Sequence, residues 1–141
     1  MFVVDTNVVS ELRKARSGKA DKRVVAWAGT VTPGALFISA ITVLELELGV
    51  LLAERRDAVQ GELLRAWLDG QVLPAFAGRI LDVDAAVARR CAALHVPDRR
   101  SDRDALIAAT ALIHGMSVVT RNVADYTPTG VAVLDPWSLE R

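Results

Sequence analysis

The sequence predicts an α/β fold: a three-layer α/β/α arrangement around a mainly parallel sheet of about five strands. Three observations predict it. Short apolar runs, among them Phe2-Val3-Val4, Leu36-Phe37-Ile38 and Ser117-Val118-Val119, read as strands buried on both faces. Stretches with helical spacing separate these runs, which is the alternation of a parallel sheet. Right-handed crossovers between parallel strands then put helices on both sides of it.

The 141 residues suit one domain spanning 1–141. A hydrophobic content of 52% argues against disorder. Lys plus Arg and Asp plus Glu number 17 each, so no whole-molecule basic field draws nucleic acid, and any such binding needs a local patch. Cys91 stands alone, which excludes an internal disulfide and leaves no Cys/His set for zinc. Only three apolar residues separate Met1 from Asp5, so no signal peptide is expected. Ala105–Ile113 is too short to span a bilayer, and a cytoplasmic protein without membrane contact is the expectation.

Met1–Val4 is the first strand, with Asp5 at its carboxyl end. Val8, Val9 and Leu12 recur at helical spacing after a cap at Thr6 or Asn7. Residues 13–23 carry six cations against one anion. Val24, Val25 and Trp27 suggest a short helix, and Thr32-Pro33-Gly34 a turn before the second strand at 36–38. Thr42-Val43-Leu44-Glu45 opens a helix that runs toward Arg55. The next helix covers roughly 58–73, with Leu63, Leu64, Trp67 and Leu68 as its core face and Pro74 as its end. A third strand is expected at 79–82, then a helix capped by Asp84. Ser101-Asp102-Arg103-Asp104 opens a helix apolar on nearly every face, which should be buried, and Gly115 ends it. Strands at 117–120 and 131–134 flank a loop containing Asp125.

This topology gathers carboxylates. Crossover helices run antiparallel to the strands, so their N-termini lie at the strands' carboxyl edge, where open α/β sheets bind ligands. Asp5 ends the first strand, Glu45 and Asp104 open helices, and Asp125 follows the fourth strand. Thr42-x-x-Glu45 and Ser101-x-x-Asp104 also fit capping boxes, and Asp125 fits a turn. Four acids at one edge nonetheless repel one another, and no Lys follows Lys22 to offset them. A divalent cation is the simplest compensation, and hard oxygen donors suit Mg²⁺ or Mn²⁺.

Five segments in order carry a resemblance that covers essentially the whole chain. They are Asp5-Thr6-Asn7-Val8-Val9-Ser10-Glu11-Leu12, Ile38 through Gly49, Asp104 through Ala111, Val119-Thr120-Arg121-Asn122-x-x-Asp125-Tyr126, and Pro136-Trp137. The set resembles VapC-type PIN-domain toxins of VapBC toxin–antitoxin systems. The resemblance implies a Mg²⁺- or Mn²⁺-dependent endoribonuclease held in check by a cognate, VapB-like antitoxin. It implies catalytic residues at Asp5, Glu45, Asp104 and Asp125, metal ligands at Asp5 and Asp104, and supporting residues at Thr6, Asn7, Thr120 and Asn122. It also implies a homodimer and an antitoxin peptide that covers an apolar groove. The segment 96–101 is more charged than the family pattern leads one to expect.

An RNA substrate needs cations, and the 13–23 segment, Arg99, Arg100, Arg103 and Arg121 are the candidates. A haloacid-dehalogenase-type phosphatase would want a second Asp where Asn7 stands, and a receiver domain would want a late Lys that this chain lacks. The remaining rival is a catalytically silent PIN-like module that binds RNA or a protein.

Overall fold

A computed structural model of the chain describes residues 1–139. Its five strands are β1 (Phe2–Val4), β2 (Leu36–Ser39), β3 (Ile80–Leu81), β4 (Ser117–Val119) and β5 (Val133–Leu134). They form one sheet in the order β3-β2-β1-β4-β5, and every pairing is parallel. The chain moves outward from β1 to β2 and β3, then returns to the other side of β1 for β4 and β5. The order therefore reverses beside β1, and the carboxyl end of β1 is the switch point where such sheets open a crevice.

Helices connect the strands. They are α1 (Thr6–Arg13), α2 (Lys22–Thr30), α3 (Ala40–Arg56), α4 (Ala58–Trp67), α5 (Leu73–Ala75), α6 (Ala85–Leu94), α7 (Asp102–His114) and α8 (Val123–Tyr126). Residues alternate faces along a strand, and the core divides accordingly. Val4 and Val119, paired in register, pack with Val8, Val24, Trp27, Val50 and Leu68 on one face. Val3 and Val118, also paired, pack with Ile107, Ala108 and Ala111 of α7 on the other. The helix read from sequence as apolar all round is indeed buried along most of its length, and Gly115 closes it in the left-handed conformation at φ 66°.

Several local expectations change. Asp5 itself caps α1, accepting from the Thr6 N–H, so neither Thr6 nor Asn7 is the cap. α3 begins at Ala40 under a cap by the buried Ser39, three residues earlier than the Thr42-x-x-Glu45 box implies. α4 does not stop at Pro74: the chain continues through a π-helical turn at Leu68–Val72 into α5, where Pro74 occupies a first-turn position that needs no N–H. Leu63 is 62% exposed and leaves the core face to Leu64, Trp67 and Leu68. On α3, Leu46 and Val50 are buried while Leu48 and Leu51 face outward.

Candidate active site at the carboxyl edge of the sheet

The alternation that divides the core also aims the site. Asp5 follows Val4 in extended conformation, so its side chain returns to the Val3 face, the side of α7. Thr120 follows Val119 in the same way on the neighbouring strand. The two meet: the Thr120 hydroxyl donates to Asp5 Oδ2 at 2.8 Å. Asp5 is 5% exposed and takes further bonds. The Thr6 N–H donates to Oδ1 at 2.8 Å, and the Tyr126 hydroxyl and the Asn7 amide donate to Oδ2 at 3.1 and 3.4 Å.

Tyr126 joins the carboxylates. Its hydroxyl lies 3.1 Å from Asp5 Oδ2 and 3.4 Å from Asp104 Oδ1, and its ring is fully buried in the core beside α7. One phenolic proton serves one acceptor well, so the nearer Asp5 is better satisfied than Asp104. Burial beside these charges holds the phenol far above its ordinary pKa, so the group remains a donor. Burial pushes the Asp5 carboxyl up, against the opposing pull of Thr120, Thr6 and Tyr126, and the Glu45 charge adds to the rise. Burial also raises Asp104, followed by the charges of Asp5, Asp125 and Glu45.

Glu45 sits in the second turn of α3, not the first. Its Oε1 accepts from the Thr6 hydroxyl at 2.7 Å, and Thr6 also reaches the buried Thr42 hydroxyl at 3.2 Å. Its Oε2 lies 3.7 Å from Arg103. Asp104 is in the first turn of α7, whose Ser101 cap accepts from the Asp104 N–H. Asp125 is exposed in α8 and reaches the cluster through its charge. Asn7 ties the strand ends together: its amide donates to Thr120 Oγ1 at 3.2 Å, and its Oδ1 accepts from the Arg121 N–H at 3.3 Å. Asn122 contributes its backbone, donating to Thr120 Oγ1 at 3.0 Å.

All eight residues singled out from sequence thus converge on one edge. Tyr126, Thr42 and Arg103 also support the carboxylates, roles that the sequence alone does not reveal. Tyr126 carried a signal, an aromatic with a polar tip directly after Asp125, but only the turn of α8 drives it inward. Among the described residues, no group of three or more His, Cys, Asp or Glu is arranged to hold a metal by itself. The donor chemistry still fits Mg²⁺ or Mn²⁺: two facing carboxylates can hold such an ion while water completes its shell.

Comparison with known proteins places the chain in a family. Residues 2–124 match the PIN domain family. The chain is 39% identical to VapC ribonuclease Y4jK of Sinorhizobium fredii over 97% of its own length and 98% of that protein. It is 37% identical to toxin FitB of Neisseria gonorrhoeae over 97% of its length and 99% of the toxin. The crystal structure of FitAcB from Neisseria gonorrhoeae superposes with a TM-score of 0.89 at 37% identity, covering 99% of this chain and 100% of that one. The chain belongs to the PIN-domain family and, within it, to the VapC-type toxins.

Proposed function

We propose that this protein is the toxin of a type II toxin–antitoxin pair, a single PIN domain acting as a Mg²⁺- or Mn²⁺-dependent endoribonuclease in the cytoplasm. One observation carries the reading: the protonated Tyr126 hydroxyl bridges Asp5 and Asp104, two carboxyls whose pKa values are both raised. Paired acids held at that cost are expected at a functional site. The relatives named VapC ribonuclease and toxin FitB support the activity.

Asp5 and Asp104 are the residues that would hold the ion. When bound, a divalent cation lowers the pKa of attached water and offsets charge on a pentacovalent phosphorus. The rest belongs to the chain. Thr120, Tyr126 and the Thr6 N–H fix the Asp5 carboxylate. The Thr6 hydroxyl orients Glu45, leaving it or Asp125 to accept the proton of the attacking water. The water oxygen bonds to phosphorus, the P–O3′ bond breaks, and the departing oxygen is protonated. The products are a 3′-hydroxyl and a 5′-phosphate, and the RNA 2′-hydroxyl takes no part as nucleophile.

The partner surfaces follow the same reading. A groove of about 300 Å³ lined by Leu12, Trp27, Trp67, Val72 and Phe76 suits an apolar segment of a VapB-like antitoxin. Leu44, Leu48, Leu51 and Leu52 form an outward stripe on α3, and such a face supports a homodimer.

The test is cleavage of RNA by purified protein in Mg²⁺ or Mn²⁺, with the new ends mapped. Loss of cleavage on chelation and in Asp5→Asn supports the enzyme. Cyclic-phosphate ends, or RNA binding without cleavage in any divalent metal, would overturn it and favour the silent module.

A further inference from the structure

A nuclease whose reacting centre is acidic must hold a polyanion against its own repulsion. With no net charge on the chain, that hold has to be local. Most cations near the site are committed elsewhere. Lys14 pairs with Glu11 at 2.9 Å, Arg99 with Asp102 at 3.8 Å and Arg103 with Glu45 at 3.7 Å. Arg100 donates its Nε to the Leu94 carbonyl at 2.6 Å.

Two arginines differ. The Arg13 guanidinium lies over the Trp67 ring, 5.8 Å from its centroid, and that of Arg121 lies over Trp137 at 5.3 Å. Neither makes a salt bridge among the described residues. Both line a hollow of about 320 Å³ that also contains Asn7, Ser10, Trp137 and the Glu11–Lys14 ion pair, whose charges offset each other and leave the two arginines as its net positive charge. Arg13 further borders a hollow of about 240 Å³ with Thr6, Glu45 and Trp67. Asn7 links this ground to the reacting centre: its Oδ1 accepts from the Arg121 N–H and its amide donates to Asp5.

We propose that Arg13 and Arg121, each held over a tryptophan ring beside the acidic cluster, bind the RNA phosphates that flank the scissile bond. The proposal rests on the ribonuclease reading and specifies where its substrate lies. A ring under the guanidinium limits its freedom while leaving N–H groups for bidentate contact with phosphate. The pair spans the exposed side of α1, so the strand would cross Asn7 and Ser10. The other cations of 13–23 then contribute less than these two positions.

Binding of a short fluorescent single-stranded RNA, followed by anisotropy in EDTA so that it stays intact, tests this. Arg13→Gln and Arg121→Gln should each weaken binding about 3–10-fold near 0.1 M salt and shallow the log K against log salt slope by about 0.7. Arg55→Gln, at the far end of α3, serves as the control for charge alone and should bind within about twofold of the wild type. Trp67→Leu, which leaves the charge unaltered, should weaken binding about threefold, and circular dichroism verifies that each variant is folded. With Mg²⁺ added, the arginine variants should raise KM by more than they lower kcat. Wild-type-like affinity and slope in both arginine variants would overturn the proposal, as would an Arg55→Gln loss of the same size or an inert Trp67→Leu. If the wild type cleaves RNA while these outcomes appear, this inference alone falls. If the wild type neither binds nor cleaves RNA, the ribonuclease reading falls with it.

Discussion

At the scale of single residues, Tyr126 and Asp104 hold the most informative tests. The Tyr126 hydroxyl pulls the Asp5 pKa down against burial. Tyr126→Phe removes that donor from a buried carboxylate, at a cost of about 1–3 kcal/mol. The Asp5 pKa should rise further, so Mn²⁺ affinity at neutral pH should fall and the acid limb of the pH–activity profile should move upward. Titration calorimetry and the profile check both shifts. For Asp104 the sign runs through the folded state, where its pKa lies above the ordinary 3.8 because of burial and its acidic neighbours. The ionised folded form therefore carries a cost at neutral pH, and the cost disappears as pH falls through the folded pKa. Asp104→Asn should stabilise the metal-free protein at pH 7 by up to about 1 kcal/mol after solvent screening, a Tm rise of about 2–4 °C. That advantage should shrink on acidification. Saturating Mg²⁺ should raise the wild-type Tm and leave the variant's unchanged. A variant no more stable than the wild type at pH 7 would refute the repulsion account.

At the scale of elements, the α3–α4 pair is drawn together by Gly61 and Arg65. A Cβ at Gly61 would stand 2.4 Å from the Glu54 Cα, so α4 crosses α3 at backbone contact. Arg65 reaches back to Glu47 at 2.6 Å and Glu54 at 3.4 Å across the same crossing. Gly61→Ala should force the helices apart and cost about 2–3 kcal/mol, lowering Tm by roughly 6–12 °C. Differential scanning calorimetry reads this directly. Since α3 carries Glu45, the variant should also lose RNA cleavage at temperatures where it remains folded. A change of Tm below a degree would show that the close approach is not tight.

At the scale of the whole molecule, the outward leucines of α3 are the feature a lone chain does not use. Leu51 is 52% exposed and Leu52 54%, on a helix whose opposite side is buried. Leu51→Glu should convert the proposed homodimer to a monomer at micromolar concentration, read by light scattering, with little change in the circular dichroism spectrum. A wild type that is already monomeric there would remove the role of this stripe in self-association. A second prediction concerns Arg103, which holds Glu45 at 3.7 Å while α7 and α3 cross at the sheet edge. Arg103→Gln leaves four acids with less compensation, so its Tm should depend more steeply on Mg²⁺ than that of the wild type.

The sequence by itself determined the strands, their parallel alternation with helices, and the edge at which Asp5, Glu45, Asp104 and Asp125 assemble. Those features follow from hydrophobic runs, from helix direction and from crossover handedness, all of which are local or topological. It also fixed Asp84 and Ser101 as caps and Gly115 as a terminator, because each answers a backbone need within a few residues. Where α3 begins was not legible, since Ser39 and Thr42 both offer a capping oxygen; in the fold Ser39 caps the helix while the Thr42 hydroxyl accepts from Thr6. Tertiary structure alone decided that Asp5 turns to the α7 face, that Tyr126 bridges it to Asp104, and that two arginines come to rest on Trp67 and Trp137. These contacts join residues far apart in the chain, and their geometry depends on side-chain direction across the finished sheet, which no local pattern encodes.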